Sequence, residues 1–211
     1  MIVSIAWFCA DHCGMWALSR AWERASPAFS SAEEVPALMG RPVKYYARMT
    51  RETRCSLFAA TLAVESSGAR PDGTEIGLIS AGSDGWMQAS AEYFRDYVEH
   101  GRTLGRGNLF IYTLPTSGLG EVAIALGLSG PCMFAHDAKN PTAGLCRTGG
   151  QMLTDGEAQM ILGIYSGPDA AVCLNLHRGP GITEMNALIA ENGQLNPLEL
   201  CHKLRERVRQ A

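Results

Sequence analysis

Seven cysteines, five histidines and three lysines are the residues here that could do covalent or metal chemistry. Thiolates attack carbonyls and bind metals, imidazoles move protons, and a desolvated amine can act as a nucleophile. The densest group is Cys9-Ala10-Asp11-His12-Cys13. Its two cysteines stand four apart, and no second cysteine or histidine pair at ligand spacing completes a tetrahedral set, so the spacing specifies no metal centre. The other cysteines, at 55, 132, 146, 173 and 201, are scattered. An odd, scattered set with no secretion signal reads as reduced thiols, mostly small core residues. No metal and no cofactor is expected. His177 follows an apolar run and reads as the last residue of an edge, and His202 lies in a polar helical pattern. His136 and Lys139 share the segment that follows Pro131.

That segment closes the most informative stretch of the chain: Asn108-Leu-Phe-Ile-Tyr-Thr-Leu-Pro-Thr-Ser117, then Gly118-Leu-Gly-Glu-Val-Ala-Ile-Ala-Leu-Gly-Leu-Ser-Gly-Pro131. It resembles the part of β-ketoacyl synthases in which a T-L-P-N-S turn opens a helix leading to A-I-x-x-G-L-x-G-P. Thr116 stands where asparagine is common. Three further stretches fall in the family's order. Arg48-Met-Thr-Arg-Glu-Thr-Arg54 with Ala59, Ala60 and Ala63 resembles an early helix, and Ile76–Gly82 the strand and turn after it. Leu153-Thr-Asp-Gly-Glu-Ala158 resembles I-R-x-G-E-A-D, with Gln159 in place of the aspartate. Together the matches cover most of residues 44 to 177.

The departure lies at the nucleophile. In active members the resemblance implies a cysteine eight residues beyond the G-P proline, at a helix N-terminus that lowers the thiol pKa and offers backbone N–H groups to an oxyanion. Eight residues beyond Pro131 stands Lys139. Cys132 comes seven residues too early and is expected to meet packing; Cys146 comes seven too late. Lys139 as a desolvated nucleophile remains an alternative, and the reading adopted is a charge tolerated because no chemistry occurs there. The two histidines of the family's C-terminal half have no counterpart, because the chain is about half the family's length.

The elements that must position these residues follow from periodicity. Ile2–Cys9 reads as a buried strand, Met15–Ala25 as a short helix, and Ser26–Ser31 as a loop. Lys44 to Ser67 has apolar residues on a helical period, stopped by Ser66-Ser67-Gly68. Glu75–Ala81 reads as a strand. Asp84 can cap a helix to His100 that ends at Gly101. Asn108–Tyr112 reads as extended, Pro115–Leu126 as a helix ending at Gly127, and Cys132–Ala135 as a strand. A short helix is expected between Asn140 and Leu153. Strands follow at Gln159–Tyr165 and Asp169–Leu176 across a turn at Ser166-Gly167-Pro168, then a final helix from Pro197 to Arg209. Its basic residues read as a solvated face. Strands alternating with helices predict an α/β sheet with crossovers.

An apolar fraction of 46% with 18% charged residues argues for a globular chain, expected to form one domain over residues 1–211. A net charge of −3 gives no reason to expect a nucleic acid partner. Ile2–Cys9 is too short to span a bilayer and lacks signal-peptide flanks, so no membrane is expected and the cytoplasm is the expected location. The resemblance implies an α/β, thiolase-like fold, the N-terminal half only, with a mixed sheet flanked by helices. It also implies dimerisation through the strand before the nucleophile position, here Cys132, Met133, Phe134, Ala135 and His136. An apolar edge of that kind makes sense as a paired interface. The implied role is a non-catalytic subunit like a chain length factor. It would pair with an active β-ketoacyl synthase in fatty acid, polyketide or aryl-polyene-type synthesis, and meet acyl carrier protein indirectly. Phe110, Tyr112 and Leu114 are the candidates for gating the partner's tunnel. The alternatives are a condensing enzyme using Lys139, Cys132 or Cys146, and a structural homodimer with no acyl ligand.

Overall fold

The chain alternates apolar runs and amphipathic helices so that one sheet collects two apolar faces. The computed structural model describes residues 2–27, 42–67, 76–82, 85–103, 105–137 and 139–210. Its strands are β1 (Ile2–Cys9), β2 (His12–Ala17), β3 (Arg20–Ala25), β4 (Ile76–Gly82), β5 (Cys132–Phe134), β6 (Met160–Ser166) and β7 (Ala170–His177). They form one sheet in the order β3-β2-β1-β7-β6-β4-β5. β4 runs parallel to both β5 and β6, and every other pairing is antiparallel. The helices are α1 (Arg51–Ser67), α2 (Gly85–Glu99), α3 (Gly107–Phe110), α4 (Pro115–Leu126), α5 (Pro141–Asp155), α6 (Thr183–Asn192) and α7 (Pro197–Gln210). The expected mixed α/β sheet flanked by helices is what the chain forms.

Strand period sorts the core into two layers. Ala6, Phe8, Leu162, Ile164, Ala171 and Cys173 face α1 and α4, where Phe8 stacks on Phe58 with ring centroids 4.5 Å apart. Ile5, Trp7, Ile161, Val172 and Leu174 face α5, α6 and α7. Both faces are covered, which is why β6 and β7 read as continuous apolar runs with no alternation.

Three elements depart from the sequence expectation. Met15–Ala25 is no helix: β2 and β3 make an antiparallel hairpin in which Ala17 pairs with Arg20 across Leu18 and Ser19. Cys13 and Met15 face one core layer while Trp16 faces the other, a period of two that a short apolar stretch hides. Asn108–Tyr112 is helical: α3 runs into a 3-10 turn at Ile111–Thr113. Its aromatic residues favour an extended reading by propensity, but Phe110 meets Tyr93 of α2 edge-on at 5.5 Å, and tertiary packing decides. α6 was not anticipated. Smaller differences sit at element ends. α1 starts at Arg51, after a 3-10 turn at Tyr46–Arg48, and α5 is longer than expected. Residues 28–31 of the expected loop, the stop at Gly68 and the Asp84 cap lie outside the described residues.

The ends expected at Gly101 and Gly127 hold, and Gly156 adds one that was not expected. Gly101, Gly127 and Gly156 follow α2, α4 and α5 at φ of 75°, 69° and 78°, the left-handed region glycine enters without strain. Among the described residues no single helix is long and apolar enough to cross a membrane. Gly107–Thr113 and Pro115–Leu126 reach that composition only as a pair bent by 101°.

Candidate functional site

Helix α5 begins because Asn140-Pro141 supplies a cap and a preset φ. The Asn140 side-chain oxygen accepts from the Ala143 N–H at 3.0 Å, and Pro141 occupies the first turn. Asp137 fixes the approach. Its Oδ1 accepts from the backbone N–H of Lys139 at 3.1 Å and of Asn140 at 3.0 Å, and its Oδ2 takes Arg147 at 2.7 Å. The Asn140 and Lys139 amides, then Arg147, hold its carboxyl below the usual carboxylate range. Lys139 therefore stands, exposed, on a braced turn directly ahead of a helix N-terminus. A cation gains nothing from the helix dipole there, so the lysine is not explained by helix stability.

The two thiols nearest in sequence are poor nucleophiles. Cys132 is exposed on β5, where packing was expected, yet burial of its thiol pushes its pKa up. Cys146 lies inside α5, and burial pushes it up to about 11. Neither is a preformed thiolate. Cys9, Cys13, Cys55, Cys173 and Cys201 are buried, as small core residues are. His136 is exposed, and His202 is exposed on α7. His177 ends β7, where burial holds its imidazole below the usual range.

β5 is the sheet's terminal strand. On one side Leu78 donates to Pro131 O at 2.8 Å and Ala135 donates to Ser80 O at 2.7 Å; among the described residues no strand lies on the other side. Met133 is 40% exposed on this edge. Phe134, at the strand's end, lines a cavity of about 50 Å³ with Glu52, Ser56, Ser80, Tyr112 and Ser166. Leu114 and the first turns of α1 and α4 complete it. The cavity opens near the carboxyl ends of β4, β5 and β6, on the sheet face that α1 and α4 cover. It has room for only a few waters, too little for a long acyl chain.

The structure thus gathers Tyr112, Leu114 and Phe134 at one cavity. It leaves Phe110 outside, 53% exposed and packed on Tyr93. Sequence reading missed the groups that hold this wall. Glu121, 6% exposed, takes Arg48 Nη2 at 2.6 Å, and the Arg48 guanidinium lies 4.0 Å over the Tyr45 ring. Ser166 donates to Glu52 at 2.8 Å. Burial, then the Glu121 charge, raise the Tyr112 phenol above its usual range. These partners are 73 and 114 residues apart, and no local spacing announces them. Asp137 did have a signal, the Asp-x-x-Asn-Pro run that opens α5.

No family model matches the chain, and no curated protein matches it. Solved structures do. One is the ishigamide ketosynthase/chain length factor, with a TM-score of 0.54 and 14% identity over 68% of this chain and 48% of that one. Another is a ketosynthase in complex with its chain length factor from Xenorhabdus doucetiae, with a TM-score of 0.52 and 13% identity over 73% of this chain and 75% of that one. The chain spans about half the length of the first and three quarters of the second. Identities this low speak for the fold alone, and the fold is that of ketosynthases and their chain length factors.

Proposed function

We propose that this chain, built on the fold of ketosynthases and chain length factors, is a non-catalytic subunit. It pairs with an active β-ketoacyl synthase and helps wall the tunnel that holds the growing acyl chain. The observation that carries the reading is Lys139, an exposed amine where the resemblance requires a thiolate, with Cys132 and Cys146 both disfavoured as thiolates by burial. A lysine amine is activated as a nucleophile by desolvation, and Lys139 is exposed. The partner docks on the β5 edge, residues Cys132 to His136, where backbone groups and Met133 are available. Tyr112 and Leu114 stand at the wall beside that edge, and the cavity favours them over Phe110 as gates. Acyl carrier protein meets the complex through the partner, in the cytoplasm, during polyketide, fatty acid or aryl-polyene-type synthesis. The whole chain acts as one domain.

Two measurements test this. The isolated chain, incubated with acyl-phosphopantetheine, should show no stable adduct by intact mass spectrometry; an adduct would overturn the non-catalytic reading. Co-expressed with an active β-ketoacyl synthase, the chain should co-elute with it in size exclusion. Leu114→Ala and Tyr112→Ala should then lengthen the product of the complex, and an unchanged product distribution in both would remove the gating role.

A further inference from the structure

The turn between β1 and β2 brings together three side chains that sequence spacing did not credit as a set. Cys9 Sγ lies 3.0 Å from His12 Nδ1 and 3.1 Å from Asp11 Oδ1, and Asp11 Oδ1 lies 2.8 Å from His12 Nδ1. All three ligand atoms fall within 4.8 Å of one another, the set with this property among the described residues. His12 O adds a fourth lone-pair centre 3.1 Å from the sulfur. These lone-pair-bearing atoms crowd together at one point, which is the arrangement a cation relieves. The cluster lies at the same end of the sheet as Lys139 but four strands from β5, roughly 19 Å away at about 4.8 Å per strand.

We propose that Cys9, Asp11 and His12 bind one zinc ion. A thiolate, an imidazole and a carboxylate suit zinc, while the sulfur disfavours magnesium and calcium. The surroundings are built to hold the ligands. Ser26 donates its hydroxyl to Cys9 O at 2.6 Å and its N–H to Asp11 O at 3.2 Å, fixing the turn. Arg205 lies 3.5 Å from Asp11 Oδ2 and so leaves Oδ1 facing inward, an outer partner of the kind that orients metal ligands. The His202 ring stacks on His12 at 5.2 Å. Asp11 is 61% exposed while His12 is fully buried, so the ion enters along the carboxylate and keeps a water in its fourth position on that side.

Binding reshapes the cluster modestly. Zinc bonds of about 2.0–2.3 Å at tetrahedral angles separate ligand atoms by about 3.3–3.6 Å, so the triangle opens by a few tenths of an ångström. The sulfur, 3.0 Å from Nδ1 and 3.6 Å from Nε2, stands over the imidazole, and the ring turns to aim a nitrogen lone pair at the metal. The thiol gives up its proton to solvent as the zinc–sulfur bond forms. The imidazole stays neutral and keeps its proton on the nitrogen that does not ligate, so one proton is released per ion.

The reduced, metal-free full chain should be titrated with zinc against a chromogenic chelator, and with cobalt by absorption. One equivalent of zinc should bind, and cobalt should give a sulfur-to-metal charge-transfer band. Asp11→Asn, an exposed and isosteric change, and Cys9→Ser should each weaken zinc at least tenfold and remove the cobalt band, while Cys146→Ser changes neither. Circular dichroism checks that each variant is folded; if Cys9→Ser is not, Asp11→Asn decides. Absence of stoichiometric binding overturns the proposal, as does binding that survives Asp11→Asn or is lost in Cys146→Ser.

Discussion

The sheet ends in two edges of opposite chemistry. β3 carries Arg20, Glu23 and Arg24, and α7 ties it down: Glu23 takes Arg205 at 2.8 Å and Arg209 at 2.7 Å. β5 reads Cys-Met-Phe, carries no charge, and presents Met133 40% exposed. Charged side chains and a covering helix are how an edge avoids adding a foreign strand, and their absence is how an edge accepts one. Among the described residues, one end of the sheet is guarded and the other has no strand beyond it. The docking proposed for β5 rests on that difference.

The sharpest way to break that comparison is to put the same charge on both edges. Met133→Asp should weaken association with the proposed ketosynthase partner at least a hundredfold, about 2.8 kcal/mol, because pairing would bury an unpaired carboxylate. Ala21→Asp on β3 should leave the affinity within a factor of two. Calorimetric titration of the two variants reads both numbers. Equal losses, or none from Met133→Asp, would dissolve the distinction between the edges.

The β5 end was the legible one. Its motif is local: Pro115 opens α4, Gly127 closes it at φ 69°, and Gly-Pro leads into β5 and the Lys139 turn within a few residues. The β3 end was not. Read alone, Arg20–Ala25 shows no apolar stripe, since its outer face is charged and only Trp22 packs inward against the core. What makes it a strand is pairing with β2 and the arginines of α7, 182 and 186 residues away. The basic run of α7 was expected to be a solvated face for the same reason. Its arginines in fact reach Glu23, Glu184 and the Trp16 ring, contacts that exist only after the fold has formed. The cluster at Cys9, Asp11 and His12 escapes a spacing rule that asks for two ligand pairs, because a hairpin turn gathers three donors from four consecutive positions.

A second variant asks whether the guarded edge belongs to the core or merely leans on it. Gly14 of β2 pairs with Trp7, and a Cβ there would come within 2.4 Å of the Trp7 ring and 2.6 Å of the Trp22 carbonyl oxygen. The ring is fully buried and the carbonyl is backbone, so neither yields cheaply. Gly14→Ala should cost about 1–3 kcal/mol, lowering the melting midpoint by roughly 2–4 °C for each kcal/mol. An unchanged midpoint would mean that the hairpin unfolds separately from the sheet it extends.

The smallest effect concerns the ion pairs that guard β3. Hydrogen bonding from Arg209 outweighs the opposing effect of burial and, with the charges of Arg205 and Arg209, holds the Glu23 carboxyl below its ordinary value of 4.5. A carboxyl depressed in the folded state contributes stability above its unfolded pKa and loses it as pH falls through the folded one. Glu23→Gln should thus cost about 0.5–1 kcal/mol near neutrality, and the gap from the parent chain should close below about pH 4.5. Paired melting curves from pH 7 down to pH 3 read the gap directly. A gap that stays constant over that range would mean Glu23 holds α7 by shape and not by charge, and that β3 is kept from partners by its covering helix alone.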